Sequence, residues 1–160
     1  MTPTTLQALR RLLFFSPQEA ALFVAASSER PQGVSDRQWQ QWENGDQPVP
    51  ADLARKITEL VDWRSTALAA TADTIRQQIK DKGIPEAVFI IWYESLDDWK
   101  SLPNRDPLMW RLQQAVCAAL AGMFSTICLV PFDAAAYTAW LAGRDDSESM
   151  RAQWASSTQG

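Results

Sequence analysis

Between residues 37 and 44 the chain reads R-Q-W-Q-Q-W-E-N, so Arg37, Gln38, Gln40, Gln41 and Asn44 are interleaved with Trp39 and Trp42. Guanidinium and amide groups carry donors and acceptors at the spacing of a purine edge. Arginine suits the two acceptors of guanine, and glutamine or asparagine suits the acceptor and donor of adenine. Wound as an α-helix, the segment separates into two sides. Trp39, Trp42, Glu43 and Asp36 fall on one; Arg37, Gln40, Gln41 and Asn44 fall on the other. A short helix buries its apolar side, so the indoles are expected in a core rather than as a stacking platform. The amides and Arg37 then face outward. Glu43 on the inward side requires a cation beside it. Asp36, at the helix start, suits the helix dipole; it could also accept from cytosine N4, but it repels phosphate.

Other chemistry finds little footing. The chain has no histidine, and so lacks the usual general base near neutral pH. It has no glycine-rich phosphate loop and no metal-ligand spacing. The neighbouring acids Asp97–Asp98 and Asp145–Asp146 diverge on a helix and read as solvated surface. Cys117 and Cys128 are too few for a disulfide framework or a zinc site. No enzyme activity, cofactor or metal site is expected. The formal charge of −4 argues against indiscriminate attraction to nucleic acid or anionic membrane, but permits a local basic surface. Residues 1–64 hold seven Lys/Arg against eight Asp/Glu. The opening "MTPTTLQALRRLL" has no signal-peptide pattern and no apolar run is long enough to span a bilayer. The expected location is the cytoplasm, with no membrane partner.

The elements that must position the 37–44 segment follow from caps and periodicity. A first helix is expected over 4–14, with Thr4 and Gln7 as a capping box and Leu6, Leu9 and Leu13 as its stripe. Ser16, Pro17 and Glu19 open a second helix, which ends before "SSERPQGV". Ser35 caps the third and Gly45 stops it. Residues 50–82 carry no Gly or Pro beyond Pro50 and form either one long helix or two broken near 62–66. The β-branched and aromatic run 87–93 reads as a strand. A short helix from Ser95 through Leu102, a helix opened by Asp106 and Pro107, a second strand in "STICLVPF", and a helix over 133–143 complete the pattern. Residues 144–160 lack periodicity and are expected to fray. Trp92, Trp99, Trp110 and Trp140 lie in apolar patterns and read as core or interface.

Three capped helices, the third with a polar outward face, make a helix-turn-helix plan in which that helix enters the major groove. The segments "LQALRRLLFFSPQEAALFVA" and "VSDRQWQQWENG" resemble the Cro/C1-type helix-turn-helix family. The matching positions are Leu6, Leu9, Arg10, Ser16, Glu19, Ala21, Val34, Ser35, Trp39, Trp42, Glu43, Asn44 and Gly45. Together with "WQQWENGDQPVP" and the distant "MWRLQQAVCAAL", they are similar to the YdiL-like proteins, a group that includes the anti-CRISPR-associated autorepressors. The turn over 27–34 is longer than the three or four residues usual in this motif.

The resemblance implies a mainly α fold. A lambda-repressor-like helix-turn-helix domain would occupy 1–64. A dimerisation region carrying a small two-stranded β element would occupy 65–143, and a polar tail 144–160. It implies base reading by Asp36, Arg37, Gln38 and Gln41, with Gln40 adjacent, and phosphate contacts by Gln18 and Asn44. It pairs Arg10 with Glu43. The function it implies is a sequence-specific DNA-binding regulator, a repressor acting as a homodimer on an inverted-repeat operator. The anti-CRISPR-associated relatives add RNA as a second ligand class. The near-neutral charge of 1–64 supports a different reading, a protein–protein interaction module on the same scaffold, because phosphate neutralisation supplies much of DNA affinity.

Overall fold

A computed structural model describes residues 1–158. The chain is mainly helical, with a small two-stranded parallel sheet. The order is α1 (Pro3–Leu12), α2 (Pro17–Glu19) running into a π-helical stretch (Ala20–Val24), α3 (Asp36–Asn44), α4 (Ala51–Lys82), β1 (Val88–Trp92), α5 (Leu96–Lys100), α6 (Pro107–Met123), β2 (Ile127–Pro131), α7 (Ala134–Leu141) and α8 (Glu148–Ser157). Contacts divide it into two units, one of 1–67 with 111–115, the other of 68–110 with 116–160. Among the described residues no helix is long and apolar enough to cross a membrane.

In the first unit, α1 begins one residue earlier than expected and ends two earlier, at Leu12. Thr2, not Thr4, is the cap: its hydroxyl accepts from the Thr5 N–H at 3.1 Å, and Pro3 takes the first helical position. Proline decides between the two threonines, because its missing N–H costs nothing there and its fixed φ is already helical. Ser16 and Glu19 form the expected reciprocal capping box. The second helix then widens: the Ala25 N–H reaches Ala20 O, five residues back, at 2.9 Å. Residues 51–82 are one uninterrupted helix. Leu6, Leu13, Phe15, Val24, Trp39, Leu53, Ile57 and Leu112 are buried in this unit.

In the second unit β1 and β2 pair in parallel, from Val88 opposite Ile127 to Trp92 opposite Pro131. Parallel neighbours need a long crossover, and α5 with α6 supplies it. An aromatic cluster of Tyr93, Trp99, Trp110, Phe132, Tyr137 and Trp154 fills the core with Ile91, Val130 and Ala155. Trp99 and Trp110 are buried; Trp92 and Trp140 are half-buried. The indole N–H groups of Trp110 and Trp99 are satisfied, Trp110 Nε1 donating to Tyr93 O at 2.8 Å and Trp99 Nε1 to Asp106 O at 2.9 Å.

The expectation that 144–160 frays is corrected over most of its length. Ser147 caps α8, its hydroxyl accepting from the Met150 N–H at 3.1 Å, and Arg151, Trp154 and Ala155 are buried. Trp154 and Ala155, adjacent in sequence, enter the aromatic cluster and hold a helix whose other residues are mostly polar. The last two residues of that tail, 159 and 160, lie outside the described residues.

Candidate nucleic-acid interface

The third helix is held from its inner side by two indoles and one ion pair. Ser35 Oγ accepts from the Gln38 N–H at 3.2 Å. At the other end Gly45 adopts φ 84°, a left-handed conformation that ends the helix and favours glycine. Trp39 is fully buried and Trp42 nearly so, their rings edge to face with centroids 6.0 Å apart. Around them lies a compact polar knot. Arg10 donates from Nε to Glu43 Oε1 at 2.6 Å and from Nη2 to Oε2 at 3.1 Å. Its Nη1 donates to Phe15 O at 2.8 Å, and Trp39 Nε1 donates to Glu43 Oε1 at 2.9 Å. Both charged side chains are only 7% exposed.

Both carboxylate oxygens of Glu43 therefore have a donor, and each of the three Arg10 guanidinium nitrogens has an acceptor. Burial pushes the Glu43 carboxyl up, but the hydrogen bonds from Arg10 and Trp39 and the Arg10 charge outweigh it, holding the group below the ordinary value of 4.5. It stays ionised, as a buried pair requires. The pair joins α1 to α3, so α3 cannot slide or roll without breaking two charged hydrogen bonds.

The outward face is thereby presented. Arg37, Gln40 and Asn44 are exposed; Asp36, Gln38 and Gln41 are half-buried. Asp36 stands in the first turn, where its charge complements the dipole. Gln18 is exposed on α2, a separate element packed on α3. Arg37, Gln38, Gln40, Gln41 and Asn44 thus share one helix, with Gln18 on its neighbour. The loop beyond α3 folds back along it: the Gln47 N–H donates to Gln41 O at 3.1 Å, and Gln38 Nε2 donates to Gln47 Oε1 at 2.7 Å. Gln47 was not among the expected site residues, and no periodic signal marks it.

The long turn between the second and third helices is built rather than slack. Gly33 sits at φ 74° against the second helix, where a Cβ would come within 2.1 Å of Ala21 O. The Val34 N–H donates to that same carbonyl at 2.9 Å. Arg30 donates to Ala25 O at 3.3 Å and pairs with Asp52 at the start of α4. Lys56 Nζ donates to Ala26 O at 2.6 Å and Phe23 O at 3.3 Å. Two cations therefore close the carbonyl end of the second helix, where the dipole favours them.

A further tie was not legible from spacing. Arg111, in the 111–115 part of this unit, donates to Glu19 from Nη2 at 2.7 Å and from Nε at 3.1 Å, and to Gln114 Oε1 at 2.7 Å. Burial alone would push the Glu19 carboxyl up; Arg111 and the Ser16 backbone hold it below its ordinary value instead. The two partners are 92 residues apart, and only the second half of the similar motif, "MWRLQQAVCAAL", hints that position 111 belongs with the first three helices.

Comparison with known proteins accords with this arrangement. The chain is 33% identical over 119 residues to the Aca2 repressor of Pectobacterium phage ZF40, an alignment covering 74% of this chain and 90% of the relative. Residues 1–128 match the Aca2/YdiL-like description, four-fifths of the length and all of the site just described. The chain belongs to the Aca2/YdiL-like family.

Proposed function

We propose that this protein is a sequence-specific DNA-binding transcriptional repressor, acting in the cytoplasm as a homodimer on an inverted repeat. The observation that carries the reading is the division of α3: Trp39, Trp42 and Glu43 are committed inward, which leaves Arg37, Gln40 and Asn44 exposed on a helix that cannot roll. That the related phage protein is a repressor supports the sign of regulation. In this reading Arg37, Gln38, Gln40 and Gln41 reach base edges, Gln18 and Asn44 touch phosphates, and Asp36 serves the helix start. Residues 1–64 bind DNA and residues 65–143 dimerise.

One recognition helix reads only a few base pairs, too little for useful selectivity in a genome, so a second copy is needed. Two recognition helices on a two-fold axis would sit about 34 Å apart and meet half-sites roughly 10 bp apart. The test is a mobility shift with DNA from upstream of the protein's own gene, across a salt series. Specific retardation that weakens steeply with salt is expected. The same experiment with the gene's transcript tests RNA as a second ligand. Light scattering at micromolar concentration should give twice the chain mass; a monomer leaving a single unrepeated half-site in the footprint would overturn the dimeric reading.

A further inference from the structure

We infer that Gln47, in the loop after α3, is a positioning residue that sets which base Gln38 prefers. The inference rests on the proposal that α3 reads DNA. Gln38 is the third residue of α3, at the end that faces bases in a helix-turn-helix plan. Its amide does not hang free: Nε2 donates to Gln47 Oε1 at 2.7 Å. The Gln47 backbone is itself fixed, its N–H bonded to Gln41 O at 3.1 Å across the last turn, and Gly45 in its left-handed conformation directs the chain back along the helix.

The chemistry turns on which way the Gln38 amide faces. An amide that gives one N–H to Gln47 keeps its oxygen and its second N–H, and this acceptor–donor pair is what adenine N6 and N7 require. Turned over, with its oxygen toward position 47, the same amide would present two donors, which suit N7 and O6 of guanine. With no partner it could take either orientation and would discriminate poorly. In the arrangement observed Gln47 accepts, so Gln38 presents the adenine pair. A Gln47 amide turned to donate would leave Gln38 the guanine pair, and position 47 thus sets the preference without touching the base.

The test uses the full-length protein and a randomised duplex library, followed by competition among duplexes carrying each base pair at each selected position. Gln38→Ala should abolish preference at one position, which identifies the base pair it reads. At that position Gln47→Leu should reduce the preference for adenine roughly ten-fold, as expected for one bidentate contact. Gln47→Glu, which can only accept, should retain the preference while weakening binding to all duplexes through phosphate repulsion. Gln47→Lys, which can only donate, should shift the preference toward guanine. Gln47 is exposed, so unchanged melting temperatures are expected throughout.

Unaltered adenine preference in both Gln47→Leu and Gln47→Lys would overturn the inference while leaving α3 as the reader. No change of preference in Gln38→Ala would also overturn it. A wild-type protein that enriches no common sequence would remove the DNA reading, and this inference with it.

Discussion

The two units each bury an arginine, and the two arginines do different work. Arg10 spans 33 residues to Glu43 and ties α1 to α3, with both side chains 7% exposed. Arg151 reaches only to Asp146 and Glu148, five and three residues away, and the Glu148 side chain is 81% exposed. Tyr137 Oη donates to the same Asp146 at 2.6 Å. In the second unit position comes from apolar area: Trp154 meets Phe132 at 5.5 Å and Tyr137 at 5.7 Å between centroids, and the buried Arg151 finds its partners within its own stretch of chain. In the first unit the buried side chains of α3 are two indoles and the Glu43 carboxylate. A helix that must keep a polar face outward has few apolar residues left to anchor it, so directional charged bonds take over where area runs short.

That contrast breaks most sharply at Trp154. Trp154→Ala should cost about 3–5 kcal/mol, the range for truncating a buried aromatic, measured by urea denaturation. A change of only a few tenths would return 144–158 to the surface tail expected from its composition. That expectation failed for a physical reason. Ser147 and Glu148 are ordinary helix-start residues, but only Met150 and Trp154 supply apolar spacing, and two residues do not make a stripe. The elements around the candidate interface were far more legible. Ser16, Glu19, Ser35 and Gly45 mark helix ends by local chemistry that tertiary structure does not override, and the split of α3 follows from its period alone.

What stayed hidden is non-local. The alternative at 50–82 turns on helix continuity that Asp62, Arg64, Ser65 and Thr66 neither demand nor forbid. The closure of the long turn depends on Gly33 touching the second helix and on Lys56 reaching back 30 residues. The tie between Arg111 and Glu19 is of the same kind, and so is the Gln38–Gln47 contact, where a loop returns on its own helix.

Glu43 is the counterpart of Trp154 in the first unit. Glu43→Ala leaves Arg10 buried with only the Phe15 carbonyl as partner, and about 3 kcal/mol should be lost, the low end of the range for breaking a buried pair. Acid should act through the same group. Its carboxyl lies lower in the folded chain than the ordinary 4.5. The pair's contribution is therefore complete above that value and is lost as pH falls through the lower, folded one. Between neutral pH and pH 3, wild type should lose more stability than Glu43→Gln does. Parallel curves would mean that the pair does not anchor α3.

On the outward side the effect should fall on binding alone. Arg37→Ala and Gln41→Ala are each expected to weaken specific DNA binding by about 1–3 kcal/mol, with melting unchanged. If α3 is held as tightly as the Arg10–Glu43 knot suggests, the two losses should be additive, because neither truncation lets the helix move. Wild-type affinity in both would dismiss α3 as the reader, whatever its anchoring.

The smallest expected effect sharpens the comparison, because it isolates charge from geometry. Glu19 serves twice: one oxygen accepts from the Ser16 N–H at 2.8 Å and closes the capping box, while Arg111 approaches both oxygens. Glu19→Gln keeps an acceptor for the cap and removes the charge that Arg111 meets. The pair is more open than Arg10–Glu43, with side chains 25% and 19% exposed, so water screens part of the attraction. A loss of about 1 kcal/mol or less is expected, measured by thermal melting and diminishing with added salt. Glu19→Ala also removes the acceptor for the Ser16 N–H, while the Ser16 hydroxyl still caps the helix, and should cost about a further 1 kcal/mol. If Glu19→Gln instead costs as much as Glu43→Ala, exposure does not separate the two pairs, and the ranking of anchors by burial fails.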